Sequence, residues 1–248
     1  MNTRIVAWLL AGSVGLLAFG LLYPKSPIYF SKVWKQEPIH NGVNGSEWRG
    51  KLHSEEPDKR AEAIFAIGAM GLEDQQVIRE LATMLCEDKD INVRGQASLA
   101  LIKMGQAAQV VVPQIGKGLS DEDAFVRHNC ALALYKMGPG AKEAIPQMLE
   151  ALPREENQTP LQQFAISVNG MTSLALGRAT AGTDVAVGPL LDSLKKAKTD
   201  HIRQIGVRAL GLVGPPAKPA AEYMRTLLPK ASQDLKEIVQ EALKTIEG

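Results

Sequence analysis

The chain repeats itself. DINVRGQASLALIKMG, Asp90 to Gly105, is followed by DAFVRHNCALALYKMG, Asp123 to Gly138. Counted from Arg94, Ala97 lies at +3, Ala100 at +6, Leu101 at +7, Met104 at +10 and Gly105 at +11. Counted from Arg127, the same offsets fall on Cys130, Ala133, Leu134, Met137 and Gly138. Arg60 and Arg203 start further copies, ending at Gly71 and Gly214, and degenerate copies start at Asn169 and Lys236. The six anchors, 60, 94, 127, 169, 203 and 236, are separated by 34, 33, 42, 34 and 33 residues. A fixed period of this size means supersecondary units stacked in a row, each unable to bury its apolar face alone. An insertion of about eight residues explains the longer spacing, and PREENQTP, Pro153 to Pro160, is its place.

Offsets of +3, +6, +7 and +10 share one face of a helix of 3.6 residues per turn. Small residues at +3 and +6 let neighbouring helices approach closely. Gly at +11 stops the helix, because it enters the left-handed region without a Cβ clash. Asp58, Asp90, Asp123, Asp200 and Asp234 stand where unpaired N–H groups and the helix dipole favour negative charge. Between these helices the spacing predicts a second, less regular set. Pro113, Pro146, Pro189 and Pro219 fall near its helix starts, where a missing N–H costs least. Ser46 is expected to cap the first of this set, from Glu47 to about His53. The expected fold is all-α: a superhelix of about six helix pairs over residues 46–248.

The pattern D-x-x-VR-x-x-A-x-x-AL-x-x-MG, followed by a short Pro-bearing helix, resembles HEAT repeats, in particular the HEAT-like repeats of the phycobilisome lyase type. The resemblance covers roughly residues 46–248. It implies that the arginine opening each second helix is structural and bonds an acidic residue in a neighbouring turn or repeat. That role carries over to Arg60, Arg94, Arg127 and Arg203; Asn169 departs from it, so the fourth repeat is expected to be weaker or bent there. The resemblance also implies that second helices line a concave side. The surface positions are then +1, +2 and +9, which hold Glu62, Gln96, Lys103, His128, Asn129, Lys136 and Arg178. These residues are the candidate partner-binding site, a shallow basic and polar stripe suited to an acidic or extended peptide segment.

Residues Ile5 to Tyr23 form nineteen residues without a charge, followed by Pro24 and Lys25. A helix of that length spans nearly the whole hydrocarbon layer, and Trp8 and Tyr23 mark its ends. Residues 1–23 read as an uncleaved signal anchor, or as a signal peptide cleaved after Ala18-Phe19-Gly20. The apolar run continues through Leu21 and Leu22, which favours the anchor. Residues 24–45, with three prolines and the stretch NGVNGS, read as a flexible linker. The repeats are expected on the non-cytoplasmic side, or secreted or periplasmic after cleavage.

Chemistry has little purchase in this sequence. The four histidines are scattered, and there is no HExxH, phosphate loop or G-x-S-x-G elbow. Deoxyhypusine hydroxylase, an enzyme built on such repeats, holds iron with repeated His-Glu pairs, and no His-Glu dipeptide occurs here. No catalytic residue, metal, cofactor or small-molecule substrate is assigned. The run Ser120 to Phe125 reads as helix capping, not calcium binding. Cys86 and Cys130 match no metal or redox spacing and read as two buried small side chains, with a disulfide left open by an exported location. Asn44 and Asn157 begin glycosylation triplets. The net charge is +1 and aromatic residues are 5%, so nucleic acid finds neither an attracting field nor stacking surfaces. The expected function is a non-catalytic, membrane-tethered or exported scaffold that binds a protein partner. The alternatives are an accessory subunit of a lyase-type cofactor-attachment system and a self-associating envelope protein.

Overall fold

The computed structural model describes residues 37–248 apart from 73, 158, 160 and 161. The apolar run at 5–23 and most of the linker lie outside the described residues. Among the described residues, no helix is long and apolar enough to cross a membrane.

Residues 40–248 form one unit of twelve described α-helices in six pairs. The first helices are α1 (Gly45–Lys51), α3 (Gln75–Glu87), α5 (Val112–Lys117), α7 (Ile145–Ala151), α9 (Val187–Lys195) and α11 (Lys218–Leu227). The second helices are α2 (Pro57–Met70), α4 (Ile91–Met104), α6 (Ala124–Met137), α8 (Val168–Ala179), α10 (Asp200–Val213) and α12 (Gln233–Glu247). Each second helix packs against the next, from α2 to α12, so the small residues at +3 and +6 lie in one continuous core. The structure is thus an α-helical repeat solenoid, as the period predicts.

The helix ends follow the local chemistry. The Asp90 carboxylate accepts from the N–H groups of Asn92 and Val93 at 2.9 and 3.1 Å, and Asp123 accepts from Val126 at 3.0 Å. Gly71, Gly105, Gly138 and Gly214 all have positive φ, between 53° and 82°, so the four +11 glycines each end a helix in a conformation a side chain would strain. One cap differs from expectation. Asn44, not Ser46, caps α1: its amide oxygen accepts from the Glu47 N–H at 2.8 Å and from the Ser46 hydroxyl at 2.9 Å. Helix α1 accordingly starts at Gly45.

The sequence pattern did not reveal how repeats are spaced. Gly68, Gly177 and Gly211, at +8, face Ala100, Ala209 and Ala242 at +6 of the next second helix. A Cβ on Gly177 would lie 3.1 Å from the backbone carbonyl carbon of Ala209, so glycine is what permits that close approach.

The candidate site on the second helices

The anchors first build a ladder at the turn end of the array. Arg60 donates from Nε and Nη2 to the two Asp88 oxygens, each at 2.8 Å, and from Nη1 to the Ser54 and Glu55 carbonyls. Arg94 repeats this with Asp121 at 2.8 and 3.2 Å, adds Glu122 at 2.7 Å, and reaches the Asp88 and Lys89 carbonyls. Each arginine ties one repeat to the turn of the next. Burial alone would raise the Asp88 carboxyl; hydrogen bonds from Arg60 and from the Asp90 N–H outweigh it and hold it below the ordinary range.

Further along, the ladder changes. Arg127 donates to the amide oxygen of Asn157 at 2.8 Å, so its partner is neutral and not acidic. Asn157 is fully buried, which places the second glycosylation triplet beyond an enzyme's reach in the folded chain. Asn169 donates from Nδ2 to the Leu152 carbonyl at 2.7 Å. Arg203 turns back to Asp200 of its own helix at 2.8 Å; the position six residues before the next anchor holds Lys230, not a carboxylate.

At the opposite end of the second helices, Lys103 and Lys136 are exposed and Arg178 is half-buried. Lys103 Nζ sits 5.1 Å from the centroid of the Phe65 ring, and the Arg178 guanidinium 4.7 Å from that of Tyr135. Each cation lies over an aromatic face of the preceding second helix, where the ring quadrupole attracts it. Phe65 is 49% exposed, and Leu212, at +9 of the fifth repeat, is 39% exposed. A groove of about 140 Å³ lies between α2 and α4, bordered by Phe65, Gly68, Gln96, Leu99 and Lys103. Gln96 and Lys103 are therefore brought together, and Glu62 is exposed on α2. Phe65 and Tyr135 belong to this surface but escaped sequence reading, since their +5 and +8 positions were not counted among the outward ones.

His128 and Asn129 do not belong to it, which corrects the expectation that +1 and +2 are surface in every repeat. Phe164, between the insertion and α8, stacks on the His128 ring at 3.7 Å and 5°. Phe125 stacks on the other partner of this cluster, Phe164, at 5.8 Å. His128 is 2% exposed and neither ring nitrogen has a hydrogen bond among the described residues. Burial holds its pKa below the ordinary imidazole range, and the nearby Ile166 backbone opposes this less strongly. Asn129 donates to the Ser98 hydroxyl at 2.9 Å inside the α4–α6 contact. Both thiols are free and Cys130 is buried as expected; Cys86 differs from expectation in being exposed.

An array of helix pairs joined by arginines along its turns is an α-helical repeat solenoid. The family comparison agrees: residues 47–112 match the model for HEAT repeats, and residues 126–152 match the PBS lyase HEAT-like repeat. The matched stretches, residues 47–112 and 126–152, are similar to HEAT repeats. No curated protein matches it in sequence. Among solved structures, it is similar to an engineered protein at 19% identity and a TM-score of 0.59, covering 82% of this chain and 96% of that one. It is also similar to the complex of CpcE and CpcF of phycocyanin lyase from Nostoc sp. PCC7120, at 19% identity and a TM-score of 0.57, covering 87% and 82%. A third is a computationally designed armadillo repeat protein for modular peptide recognition, at 15% identity and a TM-score of 0.57, covering 81% and 98%. At these identities the likeness is one of fold.

Proposed function

We propose that the chain is a non-catalytic scaffold that binds an extended, acidic segment of a protein partner across its second helices. The observation that carries this is the order of side chains on one face: Phe65, Lys103, Lys136, Arg178, Leu212, one from each of five successive repeats. Three cations in a row are bracketed by two exposed apolar residues. Packed helices lie about 8–10 Å apart, so the row runs roughly 32–40 Å, the reach of about ten to twelve extended residues at ~3.3 Å each. The complementary partner has carboxylates in its middle and an apolar residue near each end. The two cations seated on rings are already partly ordered, which lowers the entropy cost of binding.

The residues at 5–23 would tether this scaffold to a membrane, with the repeats on the non-cytoplasmic side. The test uses a synthetic peptide with central glutamates and a leucine at each end. The full chain is expected to bind it with an affinity that falls with salt, and the variant Lys103→Glu, Lys136→Glu, Arg178→Glu to lose it. Equal binding by both chains would end this reading.

The match to the PBS lyase HEAT-like repeat supports a second reading, an accessory subunit of a cofactor-attachment system. Its signature would be a chromophore retained on purification, or a change in a client's absorption spectrum.

A further inference from the structure

In the first two rungs of the ladder, a guanidinium and a carboxylate fill the space between repeats. At the fourth repeat both halves are missing. Asn169 occupies the arginine position, and Ala197 stands six residues before Arg203, as Asp88 does before Arg94 and Asp121 before Arg127. A cavity of about 320 Å³ opens at this place, and both Asn169 and Ala197 line it. That volume is at the lower end for ligand sites, enough for one terminal residue or a small molecule.

Its walls have three kinds of group. Leu149, Leu152, Leu194, Ile202 and Ile205 make the apolar part. Of the three serines there, two are engaged and the third is Ser193: Ser167 accepts from the Gly170 N–H at 3.1 Å, and Ser173 donates to the Asn169 carbonyl at 2.9 Å. Asn169 is different. Its Nδ2 is bound to the Leu152 carbonyl, and its Oδ1 is buried with no hydrogen bond among the described residues. Lys196 and Lys198 border the cavity and are exposed, and neither forms an ion pair among the described residues. Asp192 is the opposing charge, which leaves a net single positive charge at the mouth.

We propose that this cavity receives the free C-terminus of a peptide ending in an aliphatic residue. The side chain lies among the leucines and isoleucines. The terminal residue's backbone lies beside Asn169, and the carboxylate lies against Lys196 and Lys198. Each part answers a group the fold leaves unmet, and capture of a terminal carboxylate is a known mode of peptide recognition. The site is independent of the stripe: Arg178 is nine residues along α8 from Asn169, about 13 Å of helix.

The probe is N-acetyl-Gly-Ser-Gly-Leu with a free carboxylate, titrated into the purified full chain by calorimetry. Its C-terminal amide and 4-methylpentanoate, which keeps the apolar shape and charge but has no N–H, are the controls. Saturable binding of the free acid is expected, with both controls about tenfold weaker. The pair Lys196→Gln, Lys198→Gln is expected to weaken it about tenfold. The pair Asn169→Arg, Ala197→Asp rebuilds the missing rung and should abolish binding with an unchanged helical spectrum. The charge-reversed stripe variant should bind the peptide as the wild type does, which separates this site from the proposed function. The proposal is overturned if the free acid does not bind saturably, if the amide or 4-methylpentanoate binds equally well, or if a folded rung-restoring variant still binds. Should that variant not fold, unchanged binding by the lysine pair overturns it instead.

Discussion

Replacing Arg94 by alanine removes the centre of the ladder. Both Arg94 and Asp121 side chains are 8% exposed, and their contact at 2.8 Å is closed to solvent. The hydrogen bond to Asp121 raises the guanidinium pKa above its ordinary value against the pull of burial. Without the arginine, Asp121 keeps only its bond from the Asp123 N–H, at 2.8 Å, and stays a buried charge. Breaking such a pair costs about 3–5 kcal/mol. For a body of this size that is a fall in Tm of about 6–20 °C. The contact to Glu122 adds little, because that carboxylate is 80% exposed and exposed pairs are worth about 0–1 kcal/mol. The assay is a double-mutant cycle in urea, followed by circular dichroism, with Arg94→Ala, Asp121→Ala and the pair. The double variant should lose clearly less than the two single losses added together. Arg203→Ala is the internal comparison: its pair with Asp200 is about a third exposed and should cost below about 1 kcal/mol. If Arg94→Ala costs no more than Arg203→Ala, or the single losses simply add, the ladder does not join the repeats.

Three further outcomes follow from the packing. Gly177→Ala should destabilise by about 1–3 kcal/mol, because the new methyl meets the Ala209 backbone, which cannot yield; a Tm equal to wild type would refute the close approach. At pH 8, one thiol per chain should alkylate in the native state and two in denaturant, since burial pushes the Cys130 thiol far up while Cys86 is at the surface; mass spectrometry after protease digestion identifies which. Stability should fall as the pH drops below about 6.5, the unfolded imidazole value. The sign follows from His128 being held neutral by burial: its folded pKa is lowered, so the unfolded chain binds the proton first. His128→Gln should remove this loss, and urea midpoints at pH 7.5 and 5.5 measure it.

Much of the fold was legible because each repeat states it again. The +3, +6, +7 and +10 positions, the +11 glycines and the capping aspartates are local rules, and six copies made each visible despite substitutions. The N-cap of α1 was placed two residues late because Asn44 and Ser46 are both good caps, and only the geometry shows that the hydroxyl donates to the amide. The stripe was half legible. Lys103, Lys136 and Arg178 follow from counting, whereas the aromatic seats under two of them depend on how one repeat is displaced against the next. His128 was misplaced because Phe164, from a non-repeating segment, covers it, and Asn129 because it turns into the α4–α6 contact. Period alone says where an insertion falls, not which way it folds. The vacancy at Asn169 was visible as a departure from pattern, but not as a cavity until the fate of Ala197 was known.

The most direct test of the scaffold reading is a cross-linked pull-down from source membranes with the full chain as bait, beside the Lys103→Glu, Lys136→Glu, Arg178→Glu variant checked for an unchanged helical spectrum. The account predicts a protein captured by the wild type and lost with the folded variant, with an acidic segment at the cross-link site. A partner captured equally by both baits would contradict it, and would move recognition away from the second helices.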